Sequence, residues 1–277
     1  MKKHLIITSV FLLTTVFSFG QDFDKFKIGF KINPNVSWLT PQDKHLTQEG
    51  SSARFGYGLT ADIMFSENYA IGTGLNIDNS GGKLHYFTTE TKPGFVDITD
   101  STQLAVVNTK MNSHKRNYNL KYLEIPLTLK MRTNEIGYMT YAFQFGLGLG
   151  FNIKAMANDE VLSSRLRTTS EDGTYYLMKE INEGYSEEKL NIKDEIKPLR
   201  LALIIGAGAE YNLSGNTSIT AGITFNNGFT NIFRKEEKGL KLDNEGNPIF
   251  GNSSSEDETF QLKANGSYVG LNIGIIF

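Results

Sequence analysis

Apolar and polar side chains alternate one for one along eight separate stretches of the chain. The fifth stretch shows the pattern best, because Phe143, Phe145 and Leu147 take one parity while Gln144 and Gly146 take the other. Successive side chains of a β-strand point to opposite faces, so each stretch predicts a strand with one apolar face and one polar or glycine-rich face. The predicted strands cover residues 26–38, 53–65, 69–78, 118–131, 139–154, 199–211, 218–226 and 269–277.

The fourth stretch departs from this simple alternation. Tyr118, Leu120 and Tyr122 are in step, and the apolar parity then passes to Leu123 and the residues that follow it. A slip of one residue is what a β-bulge produces, so the sequence predicts a bulge in this strand. Pro126 lacks a backbone donor, which strengthens the prediction of a local break in the hydrogen-bond ladder.

The connections between the predicted strands alternate in length. Three are short and centre near Glu67, Asn134 and Gly215. Four are long and polar, and they cover residues 40–52, 79–117, 155–197 and 230–266. This alternation places every short turn and both termini at one end, which predicts an antiparallel up-and-down barrel. Within the long connections, residues 79–90 and 170–180 are expected to extend the strands.

The direction of the apolar face decides between a membrane barrel and a soluble one. A soluble barrel of the lipocalin type would put the apolar side chains inside. Here the polar parity is rich in glycine, as in Gly146-Leu-Gly-Leu-Gly150, and the apolar parity is crowded with Phe, Leu, Ile and Tyr. An eight-stranded bore has little room, so the small residues belong inside. We therefore predict an all-β, eight-stranded antiparallel up-and-down transmembrane β-barrel with long external loops.

Aromatic residues lie where the two membrane interfaces of such a barrel would be. One group is near the short turns: Phe65, Tyr69, Tyr138, Tyr211 and Phe277. A second group is near the opposite ends of the strands: Trp38, Phe151 and Phe229. Two aromatic girdles are typical of barrels in the bacterial outer membrane. The predicted location is the outer membrane of a Gram-negative bacterium, with periplasmic termini and external long loops.

The N-terminus has the features of a secretory signal peptide. Positive charge at Lys2 and Lys3 precedes a mostly apolar run, Leu5–Phe19, and Ser18-Phe19-Gly20 supplies small residues before a cleavage point. The alternative is a membrane anchor, but the run is short against the roughly 20 apolar residues of a spanning helix. We predict a signal peptide at residues 1–20 and an outer-membrane β-barrel domain at residues 21–277.

Composition excludes several classes of function. The chain has no cysteine, which excludes disulfides, thiolate metal sites and a lipid anchor on a terminal cysteine. Its net charge is −2 without a basic block, which argues against nucleic acid as a partner. No cofactor or metal site is expected. The lipid bilayer is the one partner that the pattern itself requires.

Charged residues of both signs lie on the face predicted to line the bore. They are Lys27, Lys31, Arg54, Asp62, Asp78, Glu124, Lys130, Arg200 and Glu210. Isolated charges in a narrow bore are costly, so we expect them to pair into a salt-bridged plug. A proton or ion path is the alternative.

Several strand segments resemble a known family. The most specific is Tyr122-Leu123-Glu124-Ile125-Pro126, which resembles a motif of the PorT-like outer-membrane β-barrels of Bacteroidetes; further matching segments are 27–33, 146–150, 206–211 and 228–232. The resemblance implies export through the periplasm and insertion by the barrel-assembly machinery. It also implies an assembly signal in the last strand, carried by Gly270, Ile273, Ile275 and Phe277. The family's namesake is linked to type IX secretion and gliding.

Three functions compete on this sequence. The first is an integral outer-membrane protein without catalysis, which contacts other envelope proteins as an interaction or accessory protein. The second is a small pore or ligand carrier. The third is an enzyme at the rim, for which the histidines outside the signal peptide are the candidates: His45, His85 and His114, the last two flanking a loop with Asp97, Asp100 and Ser101. No nucleophile elbow or metalloprotease motif accompanies them.

Overall fold

The computed structural model describes residues 26–97, 105–168, 175–180, 184–240 and 257–277. The predicted signal peptide at residues 1–20 lies outside these ranges, as do Asp100 and Ser101. In the described part of the chain, no helix is long and apolar enough to cross a membrane. A single turn of 3-10 helix covers Lys193–Glu195.

Thirteen strands make up the rest of the regular structure in the described ranges. They are β1 (Phe26–Pro41), β2 (Leu46–Gly50), β3 (Ser52–Ser66), β4 (Tyr69–Asp97), β5 (Ala105–Arg132), β6 (Met139–Thr168), β7 (Tyr175–Glu180), β8 (Tyr185–Asn191), β9 (Leu199–Ser214), β10 (Thr217–Gly228), β11 (Glu236–Leu240), β12 (Asp257–Gln261) and β13 (Ala264–Ile276).

Eight of these strands close into a ring of antiparallel neighbours, in the order β1, β3, β4, β5, β6, β9, β10 and β13. The ring closes where β13 pairs with β1, with Phe30 opposite Ile275. The terminal residue extends this pairing, because Phe277 N donates to Ile28 O at 2.8 Å. The predicted eight-stranded up-and-down barrel is confirmed, and its short turns at Glu67, Asn134 and Gly215 share one end with the C-terminus. We call this the short-turn end and the opposite one the long-loop end.

The apolar parity of the barrel strands points outward. Phe30, Leu127 and Phe145 are 58%, 62% and 44% exposed, whereas the alternate positions are mostly buried or half-buried. A continuous exposed belt of large apolar side chains is incompatible with a water-facing wall. Lipid is the solvent that suits this surface, as predicted.

Glycine allows the backbones on the inner face to approach closely. Gly208 and Gly222 are directly opposite each other in the β9–β10 pair. A Cβ atom on Gly222 would lie 2.6 Å from Ala207 O and 2.9 Å from the Cα atom of Gly208. A narrow, strongly curved wall therefore requires glycine at these positions.

The predicted bulge in the fourth barrel strand is wrong in position. In β5 the even-numbered side chains point inward without interruption, from Tyr118 through Tyr122 and Pro126 to Thr128. The slip lies in the neighbouring strand β6, where Ile153 is the extra residue between the pairs Lys121–Lys154 and Tyr122–Asn152. Inward-facing parity in β6 changes there from even to odd.

Three barrel strands continue far beyond the membrane. β4, β5 and β6 contain 29, 28 and 30 residues, whereas about 9–11 residues suffice to cross a bilayer. The connections predicted at 79–117 and 155–197 are thus largely strand. Strand extension over 79–90 is confirmed, and within 170–180 the described residues form β7. We call residues 83–97, 105–117 and 155–168, together with β2, β7 and β8, the extramembrane sheet.

The inner face changes chemistry at the long-loop end. There it carries buried apolar side chains such as Leu84, Tyr86, Tyr118 and Leu120, rather than the polar residues expected throughout the interior. The connections fold over them and complete a core. We call this core the apolar cap; its further members are Leu39, Leu46, Tyr122, Ala155, Ala157, Ile192, Ile196, Ile232, Phe233, Phe260, Leu262 and Ala264. Above the membrane the outside is water, so the apolar side chains turn inward as in a soluble protein.

Candidate functional site

A cluster of four charged side chains fills the bore near the short-turn end. Lys130 Nζ lies 2.6 Å from Asp62 Oδ2 and 2.7 Å from Glu210 Oε1. Arg132 forms a further ion pair with Glu210. Asp62 and Glu210 are buried, so each carboxylate depends on these partners to compensate the loss of water. Arg132 directly follows the predicted strand 118–131, and the structure adds it to the bore.

A second layer crosses the bore farther toward the long-loop end. Arg200 is 1% exposed, and its Nη1 lies 3.4 Å from Glu124 Oε2. Asn226 Nδ2 lies 3.1 Å from both carboxylate oxygens of Glu124, and Asn226 Oδ1 accepts a hydrogen bond from Arg200. Arg200 Nη2 also donates to Gly266 O at 3.1 Å. We call Arg200, Glu124 and Asn226 the Arg200 layer; its members are joined to one another by hydrogen bonds, and Arg200 is also bonded to the backbone.

The resemblance motif supplies side chains to this layer and to the wall. Glu124 and Tyr122 point inward, and the Arg200 guanidinium lies 5.5 Å from the centre of the Tyr122 ring. Ile125 is exposed on the outer wall, and Leu123 shares its parity. Pro126 points inward and lines a small cavity. The motif thus joins the polar bore to the apolar cap at a single level.

The remaining predicted bore charges have other environments. Lys31 and Asp78 line the same cavity of about 50 Å³ as Glu124. Lys27 lies at the short-turn mouth beside Arg132, in an open cavity of about 550 Å³. Among the described residues, neither lysine has a carboxylate within ion-pair distance.

Arg54 does not belong to the bore network, contrary to the sequence prediction. Its Nη2 donates to Tyr118 O at 2.9 Å and lies 3.4 Å from Asn117 Oδ1, two strands away. The β3–β4 ladder ends at the pair Tyr57–Ile77, so the Arg54 side chain passes beyond the last paired residues. It lines a cavity on the outer wall instead.

Little free volume remains in the bore between these layers. The two cavities there have volumes of about 100 and 50 Å³. A water molecule takes up about 30 Å³ in the liquid, so each cavity holds at most a few waters. Above the Arg200 layer the apolar cap continues the closure, with Tyr118 packed edge-on against Phe233 at 5.1 Å between ring centres. The arrangement blocks the bore twice, once by ion pairs and once by an apolar core.

A polar brace lies on the extramembrane sheet, in segments for which the alternation predicts loops. Asp159 Oδ2 accepts hydrogen bonds from Arg116 Nη2 at 2.6 Å and Nε at 3.1 Å, and lies 3.3 Å from His114 Nδ1. Arg116 Nη1 also donates to Glu195 at 2.9 Å. Burial raises the pKa of Asp159, but the hydrogen bonds from His114 and Arg116 outweigh it and hold that pKa below its usual value. The brace ties β5, β6 and the 3-10 turn together.

The candidate histidines are engaged in local contacts. His114 Nε2 lies 2.9 Å from Thr88 Oγ1, so Thr88, His114 and Asp159 form a hydrogen-bonded series, but Thr88 is buried and Arg116 shares the carboxylate. His85 Nε2 lies 2.8 Å from Ser113 Oγ. His45 stacks on Phe260 and pairs with Asp43. Asp97 ends β4, and no group of three or more His, Cys, Asp or Glu side chains that could hold a metal ion occurs among the residues that the structure describes.

Several solved structures of bacterial proteins have low similarity to this chain. Neisserial surface protein A is 7% identical over 90% of this chain and 96% of its own, with a TM-score of 0.35. The attachment invasion locus protein Ail of Yersinia pestis is 12% identical over 91% of this chain and 99% of its own, with a TM-score of 0.30. OprG of Pseudomonas aeruginosa is 12% identical over 89% and 95%, with a TM-score of 0.34.

These structural similarities are too low to carry a functional argument. No curated protein sequence is similar to this chain. The model of the family "Outer membrane protein beta-barrel domain" matches residues 19–234, which is most of the chain. The chain therefore belongs to the family of outer membrane protein β-barrel domains and is located in the outer membrane.

Proposed function

We propose that this protein is a closed, non-catalytic barrel that presents its extramembrane sheet to other envelope proteins. The observation that carries the proposal is the Arg200 layer together with the apolar cap directly above it. A pore or ligand carrier needs a continuous path, and here ion pairs and a packed core occupy that path. What remains available for function is the outside of the molecule.

The extramembrane sheet is the part of the molecule best suited to an interaction role. The sheet extends far from the membrane, because β4 and β5 remain paired as far as Asp97 and Ala105. Its brace and cap fix its geometry, and a rigid surface loses little conformational entropy on binding. In barrels of this kind the short turns are periplasmic, so the sheet lies at the external surface.

The residue resemblance supports narrower proposals. Membership of the PorT-like group of Bacteroidetes would make the envelope partner part of a secretion apparatus. Removal of residues 1–20 by signal peptidase accords with an outer-membrane location. Recognition of the last strand by the barrel-assembly machinery accords with Ile273 and Phe277, which are 41% and 47% exposed on the outer wall near the strand end.

We expect the purified protein to be electrically silent in planar lipid bilayers. Both the Arg200 layer and the apolar cap would have to open for ions to pass, and each is held by buried contacts. The measurement is single-channel recording, with a general porin reconstituted in the same way to show that insertion occurs. Steady conductance steps from the wild-type protein would overturn the closed-barrel proposal.

We expect a shortened hairpin to abolish partner binding and leave the barrel intact. Thr88 and Asn112 are direct partners in β4 and β5, so residues 89–111 can be replaced by Asn-Gly, which favours a tight hairpin turn. Because the Arg116–Asp159 brace and the cap lie below this cut, the variant keeps its buried core. The measurement is affinity purification of detergent-extracted protein from the native membrane.

The control in that experiment is the wild-type protein carrying the same tag. A stoichiometric partner captured by wild type and lost by the shortened variant supports the interaction role. Equal capture by both proteins would show that the partner binds outside residues 89–111. If neither protein captured a partner, the result would count against the proposed interaction role.

A further inference from the structure

A cationic groove lies on the outer wall, where β3, β4, β5, β6 and β8 approach one another. Its volume is about 750 Å³. The basic side chains that line it are Arg54, Lys121, Lys154 and Lys189, and the polar ones include Asn119 and Asn158. No acidic residue is among those that line it. Such a concentration of one charge on a chain with a net charge of −2 needs a local explanation.

Two of the lysines oppose each other directly across the β5–β6 ladder. Lys121 and Lys154 are register partners. Like charges at directly opposite positions destabilise a sheet. Within the described ranges, no carboxylate lies within ion-pair distance of either lysine, or of Arg54 or Lys189. The repulsion is therefore uncompensated by the protein.

Irregularities of the backbone determine where two of these cations lie. The bulge in β6 makes Ile153 and Lys154 both exposed, so that Lys154 joins the outer face where regular alternation would turn it inward. Lys189 has a φ of 58°, a left-handed conformation that L residues rarely adopt. Its amide is held by a hydrogen bond to Asn158 Oδ1 at 2.9 Å, beside a register shift between β6 and β8.

The groove lies directly above the lipid-facing belt. On β6 the outward side chains below it are Phe151 and Ile153, which are 41% and 42% exposed. On β3 the neighbouring outward residue is Phe55, which itself lines the groove. The wall therefore offers a cationic pocket at headgroup level and an apolar surface beneath it. Long loops of such barrels are external, so this level corresponds to the outer leaflet.

We propose that the groove binds the phosphate-bearing headgroup of an outer-leaflet glycolipid, whose acyl chains lie along the apolar wall below. A phosphate between Lys121 and Lys154 would turn their mutual repulsion into two attractions. Arg54 and Lys189 extend the cationic surface to either side for a second anionic group. The asparagine amides donate hydrogen bonds to phosphate or sugar oxygens.

The test measures binding of bisphosphorylated lipid A to the full barrel in detergent micelles by native mass spectrometry. We expect the Lys121→Gln/Lys154→Gln variant to bind about thirtyfold more weakly, since each of the two lysines near anionic lipid contributes about 1 kcal/mol. The control is Lys238→Gln/Lys263→Gln, which removes the same charge from exposed positions at the long-loop end outside the groove. Its affinity should equal that of wild type.

A charge reversal separates binding from stability. Lys154→Glu creates an ion pair with Lys121, so we expect a higher melting temperature without lipid and a loss of lipid A binding. Three results would overturn the proposal: unchanged affinity for lipid A stripped of its phosphates, complete competition by inorganic phosphate at equal concentration, or equal weakening by the control variant. Each would show that a phosphorylated lipid is not what the groove recognises.

Discussion

Replacing Arg200 by alanine is expected to lower the free energy of unfolding by about 3–5 kcal/mol. The Glu124 carboxylate is 1% exposed and receives hydrogen bonds from Arg200 and Asn226. Without Arg200 the buried carboxylate keeps the Asn226 amide but loses the one cation that forms an ion pair with it in the described part of the chain. The measurement is urea unfolding in phospholipid vesicles, followed by the fluorescence of Trp38, the only tryptophan in the chain.

The matched control removes both charges of the pair at once. Replacing a buried ion pair by apolar residues of similar volume is often neutral or stabilising, so Arg200→Met/Glu124→Leu should recover most of the loss. Recovery would show that the cost arises from the orphaned carboxylate. An equal loss in the single and double variants would show instead that the Arg200 layer acts through packing alone, for example against the Tyr122 ring.

The sequence predicts the barrel well because lipid imposes a two-residue period on every strand. Strand number, the short turns and the outward direction of Phe145 all follow from that period. The pairing of Lys130, Asp62 and Glu210 is likewise expected, since opposite charges on one inner face have few other partners. The two-residue period cannot predict which charged side chains form ion pairs, because the stagger between neighbouring strands decides this.

The error over the bulge has a physical cause. Along β5 the apolar residues pass from the even to the odd parity between Tyr122 and Leu123. The strand does not slip there; its surroundings change, because the outer face passes from water to lipid and the inner face from apolar cap to polar bore. A chemical pattern alone cannot separate a slipped strand from a changed solvent, and only the pairing with β6 does so.

The site residues that the sequence did not predict were missed for one common reason. Arg116 and Asp159 lie in segments that read as polar loops, since an extramembrane sheet with a short apolar inner stripe resembles a loop in composition. Arg54 was placed in the bore by parity, yet the early end of the β3–β4 ladder lets it reach the outer wall. In each case a contact between distant segments decides the role.

The change of solvent along β5 predicts that an outward-facing arginine is costly at one height and tolerated at another. Leu127 is 62% exposed on the outer wall and central in the apolar stretch of β5, so Leu127→Arg should cost about 2–4 kcal/mol in a bilayer. Lys115 lies outward on the same strand above the membrane, where a guanidinium stays hydrated, so Lys115→Arg should change stability by less than about 0.5 kcal/mol.

A third variant tests the inner face at a height between these two. Leu120 is 1% exposed within the apolar cap, and Leu120→Arg would bury an unpaired charge there. We expect it to increase hydrogen exchange in β12, which carries the cap residue Phe260, and in its partner β11, while the lipid-embedded strands stay protected. Two results would contradict this interpretation of β5: a Leu127→Arg variant as stable as Lys115→Arg, or unchanged hydrogen exchange in the apolar cap of Leu120→Arg. Either would show that the outer face does not pass from water to lipid, or the inner face from apolar cap to polar bore, at Tyr122.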